Sequence, residues 1–223
     1  ITPLLTLVGL FLYAVCPLAF QQYAYAGLVV GTLVFSVSGG LAEVLISPVI
    51  AAIPSDDPDR EMSKLHSVYA WGGVPVILIS TLFLYVFGSQ SWHWLALLYM
   101  LVPLVAFLLF TKAQIPQMET PEKVSGALSF LKNKGLWLCV GAIFLGGASE
   151  CIMAQWSSGY IEQALGIPKV WGDIFGVAVF SVMLGMGRTL YAKKGKKIGN
   201  VLFLGSIGAT ICYLPAAICN MPL

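Results

Sequence analysis

The chain has 223 residues, of which 58% are hydrophobic and 10% charged, with a mean hydropathy of +0.87 and a net charge of +2. An ordinary soluble domain carries about a quarter charged residues, so this is the composition of a membrane protein, and so small a positive surplus excludes a nucleic-acid partner. Cys16, Cys139, Cys151, Cys212 and Cys219 show neither Cys-x-x-Cys nor a Cys/His spacing suited to zinc, read as small packing residues, and leave no metal or cofactor expected.

A bilayer-crossing helix needs about 20 predominantly apolar residues. Seven such runs follow one another, at roughly 1–20, 28–53, 66–88, 93–111, 136–160, 171–191 and 198–219. They are too long and too uniformly apolar for the ten-residue alternating segments of a β-barrel. The fold class predicted is all-α and polytopic. Residue 1 is Ile and no signal peptide precedes the first run, which suggests a piece of something longer.

If the runs alternate across the bilayer, Arg60 and Lys64, then Lys112, Lys123, Lys132 and Lys134, then Arg188, Lys193, Lys194, Lys196 and Lys197 all fall on one side. Only Lys169 falls on the other. Positive charge favours the cytoplasmic face, so the amino end of the chain is predicted to be cytoplasmic. Trp92 and Trp94 mark the opposite interface, with His93 an interfacial side chain between them. Asp57, Asp59, Arg60 and Glu61 read as a solvated turn. The longest polar segment, 112–135, has Thr120 as a plausible helix cap and Val124, Leu128 and Leu131 at helical spacing, which predicts an amphipathic surface helix. It would divide the chain into 1–111 and 136–223, joined by 112–135.

Two carboxylates lie deep in apolar runs: Glu43 in "GGLAE" and Glu150 in "GGASE". A charge at the centre of a membrane helix opposes insertion by roughly 2.5–3.5 kcal/mol, several times what one leucine contributes. Such groups normally face a bundle interior or a wet cavity. Helical stepping aligns Thr32, Ser36, Gly39 or Gly40, Glu43 and Ser47 in one small, polar stripe, and Pro48 is expected to bend the helix just beyond. Glu150, Ala154, Ser157 and Ser158 make a weaker stripe, flanked by Ser149, Gln155 and Trp156. The competing reading is structural: the glycines permit close packing and each Glu is a protonated hydrogen-bonding group between helices.

The residues resemble the major facilitator superfamily, and within it the fucose-permease-like branch. "GGLAEVLISPVIAAIP" is similar to the fourth helix of fucose permeases, with Glu43 and Pro48 at the same spacing and Ser47 where Asn is common. "SKLHSVYAWGGV" resembles the start of that branch's fifth helix, and "GASECIMAQWSSGY" the seventh helix of bacterial members. "GRTLYAKKGKKIG" resembles the loop before the ninth helix: Gly195, Lys196 and Lys197 fit and Lys193 stands for Arg, but Ala192 replaces the Asp of the gating ion pair. "WGGVPV" lacks the spacing of the drug-antiporter motif. The resemblance implies a 12-helix fold of two six-helix bundles around a central cavity. The seven runs would be its third to ninth helices, leaving both bundles incomplete.

The function this implies is secondary active transport of a small polar solute, a sugar, by proton symport with alternating access. Desolvation disfavours the charged form of a carboxyl group, so an acidic residue in an occluded cavity can exchange protons near neutral pH. The candidate binding residues are Glu43, Glu150, Ser36, Ser47, Gln155, Trp156 and Tyr69, with Trp71 a further ring to stack on a sugar, and Gly195, Lys193, Lys196 and Lys197 form the gating loop. His66, at the start of the third run, reads as interfacial. The expected partners are a sugar-like solute, a proton and the lipid bilayer; the setting is a bacterial inner membrane and the complete protein a monomer. An exporter of another small solute is the alternative. A seven-helix receptor is weaker, since no Lys lies mid-run to hold retinal, and an enzyme is not expected, since no Gly-x-Ser-x-Gly, His-Glu-x-x-His or intramembrane aspartate pair occurs.

Overall fold

A computed structural model describes residues 1–113, 116, 130–195 and 197–218, and among these the regular structure is helical. The helices are α1 (Thr2–Ala19), α2 (Ala24–Ala52), α3 (Pro58–Phe87), α4 (Trp92–Tyr99), α5 (Leu101–Phe110), α6 (Lys134–Leu165), α7 (Lys169–Lys194) and α8 (Ile198–Ile218). With α4 and α5 forming one segment, Ser89–Phe110, seven helical segments are long and apolar enough to cross a membrane. The all-α, polytopic expectation therefore holds. The Thr120 surface helix and Lys196 lie outside the described residues.

Several helices reach beyond the apolar runs, α2 starting at Ala24 ahead of residue 28. α3 starts at Pro58, not near residue 66, because the segment read as a solvated turn is its first turns. Proline is pre-set for a first helical position, Asp59 and Glu61 suit the positive end of the helix dipole, and the Asp57 carboxylate accepts the Arg60 N–H at 3.2 Å. α6 and α7 likewise extend past their expected ends with polar turns, which a search for apolar residues overlooks.

Helix ends and breaks have local causes. Ile53 ends α2 in an extended conformation (φ −75°, ψ 123°) because Pro54 follows and disfavours the helical region for its predecessor. α2 itself stays helical through Pro48, whose missing N–H leaves the Val44 carbonyl without its partner four residues on. Pro103 likewise has no N–H to close the helical turn, and the segment divides there into α4 and α5. Gly166 closes α6 in the left-handed region (φ 65°), returning its N–H to Glu162 and Ile161, and Pro168 blocks continuation. α7 contains a π-helical turn at Asp173–Ala178.

Two compact units emerge. The first comprises Ile1–Asp56 and Ile79–Ala127, the second Asp57–Leu78 and Leu128–Leu223. In the first, α1 and α2 approach closely at glycines: a Cβ on Gly31 would stand 2.6 Å from the Tyr13 backbone nitrogen, one on Gly9 2.5 Å from that of Phe35, and one on Gly27 2.5 Å from the Cys16 Cβ. Thr6 and Ser38 share a hydroxyl hydrogen bond of 2.8 Å across the same seam. Tyr13 packs edge-on against Phe35 and Trp92, beside a cavity of about 280 Å³. In the second unit, Gly172 and Gly176 of α7 fit against Ser158 and Ser157 of α6. Buried apolar residues are mostly small, Ala14, Ala70, Ala96, Ala178 and Ala192 with Leu95, while large side chains such as Leu33, Leu138 and Phe203 face outward. Hydrocarbon solvates leucine as well as a protein interior does, so in a membrane small residues govern helix contact.

Candidate functional site

Glu43 stands roughly 13 Å from the Ala52 end of α2, at 1.5 Å per residue. Its side chain has no hydrogen bond or ion pair among the described residues. Ser38, not the expected stripe, faces α1; Ser36 and Glu43 are exposed and Ser47 is half-buried. A Cβ on Gly39 or Gly40 would meet nothing within 4 Å, and the same is true of Gly146 and Gly147. Among the described residues neither glycine pair is a packing contact. The close approaches are made instead by glycines away from both carboxylates.

Glu150 is different. It lies near the middle of α6, in the second unit, and its Oε2 accepts a hydrogen bond from Arg188 Nη2 at 3.1 Å. Arg188, six residues before the end of α7, also donates through Nη1 to the His66 carbonyl of α3 at 3.1 Å. One guanidinium thus links three helices. The pair is partly solvated, with Arg188 25% and Glu150 32% exposed, so its charges are moderately screened. The sequence signal for this role is an arginine inside an apolar run, which needs a counter-charge.

Around this pair, side chains from the first half of α3 reach the last turns of α7. The Arg60 Nε–H donates to the Ala192 carbonyl at 2.8 Å and Nη2 donates to that of Lys193, while Ser63 donates to the Arg188 carbonyl at 2.9 Å. The Trp71 indole N–H donates to the Thr189 hydroxyl at 3.0 Å, and its ring lies on Gly185, where a Cβ would come within 3.0 Å. Most of these donors meet carbonyls near the α7 end, where the last four lack helical partners. At the other end of α7, Asp173 accepts from buried Ser158 and pairs with Lys169 at 3.3 Å.

The other expected site residues of the second unit make no hydrogen bond or ion pair with Glu150 among the described residues. Tyr69 (72% exposed), Gln155 and Trp156 have no hydrogen bonds among the described residues. Ser157 and Ser158, on the Glu150 stripe, face α7, and the buried Ser157 hydroxyl has no partner among the described residues. Gly195 ends α7, its N–H returning to the Tyr191 carbonyl at 2.7 Å; Lys193 and Lys197 are exposed. Among the described residues no three His, Cys, Asp or Glu side chains gather as metal ligands.

Seven membrane-length helical segments among the described residues, packed through small residues, mark a multi-pass membrane protein. The chain belongs to the Major Facilitator Superfamily, whose family model matches residues 3–223. No curated protein and no solved structure matches it. The protein is accordingly a secondary transporter of small solutes.

Proposed function

We propose that the solute is a sugar, moved by proton symport, and that Glu43 accepts the coupling proton. The observation that carries this reading is the contrast between the two carboxylates. Glu43 lacks a counter-ion among the described residues, whereas Arg188 neutralises Glu150. An unpaired carboxylate in an apolar helix is far less costly protonated than charged, so proton binding and release there can be tied to the state of the carrier. Ser36 and Ser47, on the same stripe as Glu43, would contact the solute.

In this reading the protein is of the fucose-permease-like branch, its helices correspond to the third to ninth of the fold, and it sits in a bacterial inner membrane with the amino end of this chain cytoplasmic. The segments 1–111 and 136–223 belong to opposite halves. The hydrogen bonds from Arg60, Ser63 and Trp71 to α7 then form when the halves close on one side and break when they open. Lys193, Lys196 and Lys197, with Gly195, border that contact.

The test is Glu43→Gln in the full-length protein in proteoliposomes. Proton-driven accumulation falls to equilibration, while counterflow exchange of the same sugar persists. Undiminished accumulation removes Glu43 from the coupling step.

A further inference from the structure

The cavity of about 280 Å³ in the first unit lies between α1, α2 and α4. One face of α4 lines it with Trp92, Leu95, Ala96 and Tyr99, while Tyr13 enters from α1 and Phe35 from α2. Among the described residues none of the lining side chains is charged. From Trp92 to Tyr99 the α4 face runs about 10 Å, at 1.5 Å per residue. Trp92 opens α4 two residues before the exposed Trp94, and tryptophans so placed favour the membrane–water interface. The cavity therefore starts near headgroup depth and follows α4 toward the middle of the bilayer.

Its polar atoms are unevenly satisfied. At the deep end the Tyr99 hydroxyl shares a hydrogen bond of 2.7 Å with that of Ser80. At the interfacial end the rings of Tyr13 and Trp92 meet with centroids 5.4 Å apart, and neither the Tyr13 hydroxyl nor the Trp92 indole N–H has a hydrogen-bond partner among the described residues.

This arrangement selects an occupant. A bound water needs two to four polar partners, and an apolar cavity of about 150 Å³ takes up benzene while staying dry. Here the volume is larger and the unmet donors stand at one end only. A charged solute finds no counter-charge on the lining. A molecule with an apolar body and an acceptor at its interfacial end meets both the aromatic walls and the two donors. In a bilayer that molecule is a phospholipid, whose chains run inward from ester carbonyls beneath the headgroups.

We propose that this cavity binds one acyl chain of a bilayer phospholipid, with the ester carbonyl accepting from Tyr13 and Trp92 and the chain lying against Phe35, Leu95 and Ala96. The site uses none of the residues assigned to solute or proton and does not depend on the sugar reading.

The full-length protein in detergent is titrated with a phosphatidylcholine carrying brominated chains, which quench tryptophan emission on contact. Wild type shows a quenching component that saturates, and Trp92→Phe lacks that component. Ala96→Leu, which fills the cavity, weakens the saturable binding at least tenfold. Unbrominated diester phosphatidylcholine displaces the brominated lipid about three- to tenfold better than its diether analogue, which has no carbonyl to accept, and Tyr13→Phe narrows that gap. Quenching that never saturates, or that is the same in wild type and Ala96→Leu, reflects general lipid contact and overturns the proposal. Displacement by indole or phenol but not by phospholipid makes the cavity a site for small aromatic molecules and overturns it too, as does a Trp92 that no lipid reaches because another part of the full-length chain covers it. Should Ala96→Leu misfold, the ester and ether comparison decides alone: equal displacement by the two lipids overturns the proposal.

Discussion

Replacing Gly31 with alanine tests the α1–α2 seam. The new Cβ would lie 2.6, 2.7 and 2.8 Å from the N, Cα and Cβ of Tyr13, where ordinary contact begins at 3.4 Å. Both nearest atoms are backbone, so no side-chain rotation relieves the clash and the helices must part by about 0.8 Å, the difference between 3.4 and 2.6 Å. A gap of about 0.5–1 Å forfeits a quarter to a half of the dispersion well for each facing atom pair. Overpacking of this kind costs about 1–3 kcal/mol, and alanine's better helix propensity offsets up to about 1. A net loss of about 1–2 kcal/mol corresponds to a melting shift of roughly 2–8 °C for a chain of this length. The assay is thermal unfolding of the purified protein in detergent, followed by tryptophan emission, with Gly141→Ala as the control because a Cβ there meets nothing within 4 Å. Gly31→Ala melts lower, and Gly141→Ala melts at or above wild type. Equal melting of the two variants would falsify the close-approach argument.

Asp173→Ala leaves the buried Ser158 hydroxyl without its acceptor and should cost about 1–3 kcal/mol, whereas Lys169→Ala, at a lysine 60% exposed, should cost under about 1 kcal/mol in the same melts. Gly166→Ala forces a Cβ into the left-handed region that closes α6 and should destabilise by about 1–2 kcal/mol, with Gly166→Asn intermediate. Trp71→Phe keeps a ring on Gly185 but removes the bond to Thr189, whose hydroxyl still donates to the Gly185 carbonyl at 2.7 Å; a loss of about 0.5–1.5 kcal/mol is expected, smaller than that of Trp71→Ala.

Much of the fold was legible in the sequence because hydrocarbon imposes a length that composition reveals. The helical class and the number of segments follow from apolar run length. What escaped was polar or tertiary. The first turns of α3 hold Asp59, Arg60 and Glu61, whose polarity masks a helix that Pro58 and the dipole favour. Which glycines pack was not legible either, because Gly9 and Gly39 differ only in what faces them. At the site, depth singled out Glu43 and Glu150. That one is ion-paired and the other has no counter-ion among the described residues depends on Arg188 arriving from a helix 38 residues away in sequence. The same holds for Trp71, Thr189 and the Ser158, Asp173 and Lys169 cluster.

The wide turn at Asp173–Ala178 has a consequence for everything after it. A π turn accommodates one residue more than an α turn, and each residue of an α-helix advances the side-chain direction by about 100°. It therefore sets the rotational phase of the remainder of α7 relative to Gly172, which is anchored on Ser158. Winding that turn as a regular α-helix with every residue kept would swing Gly185, Arg188 and Thr189 together by about 100°, away from Trp71 and Glu150. An irregularity two turns or more upstream is what aims the arginine.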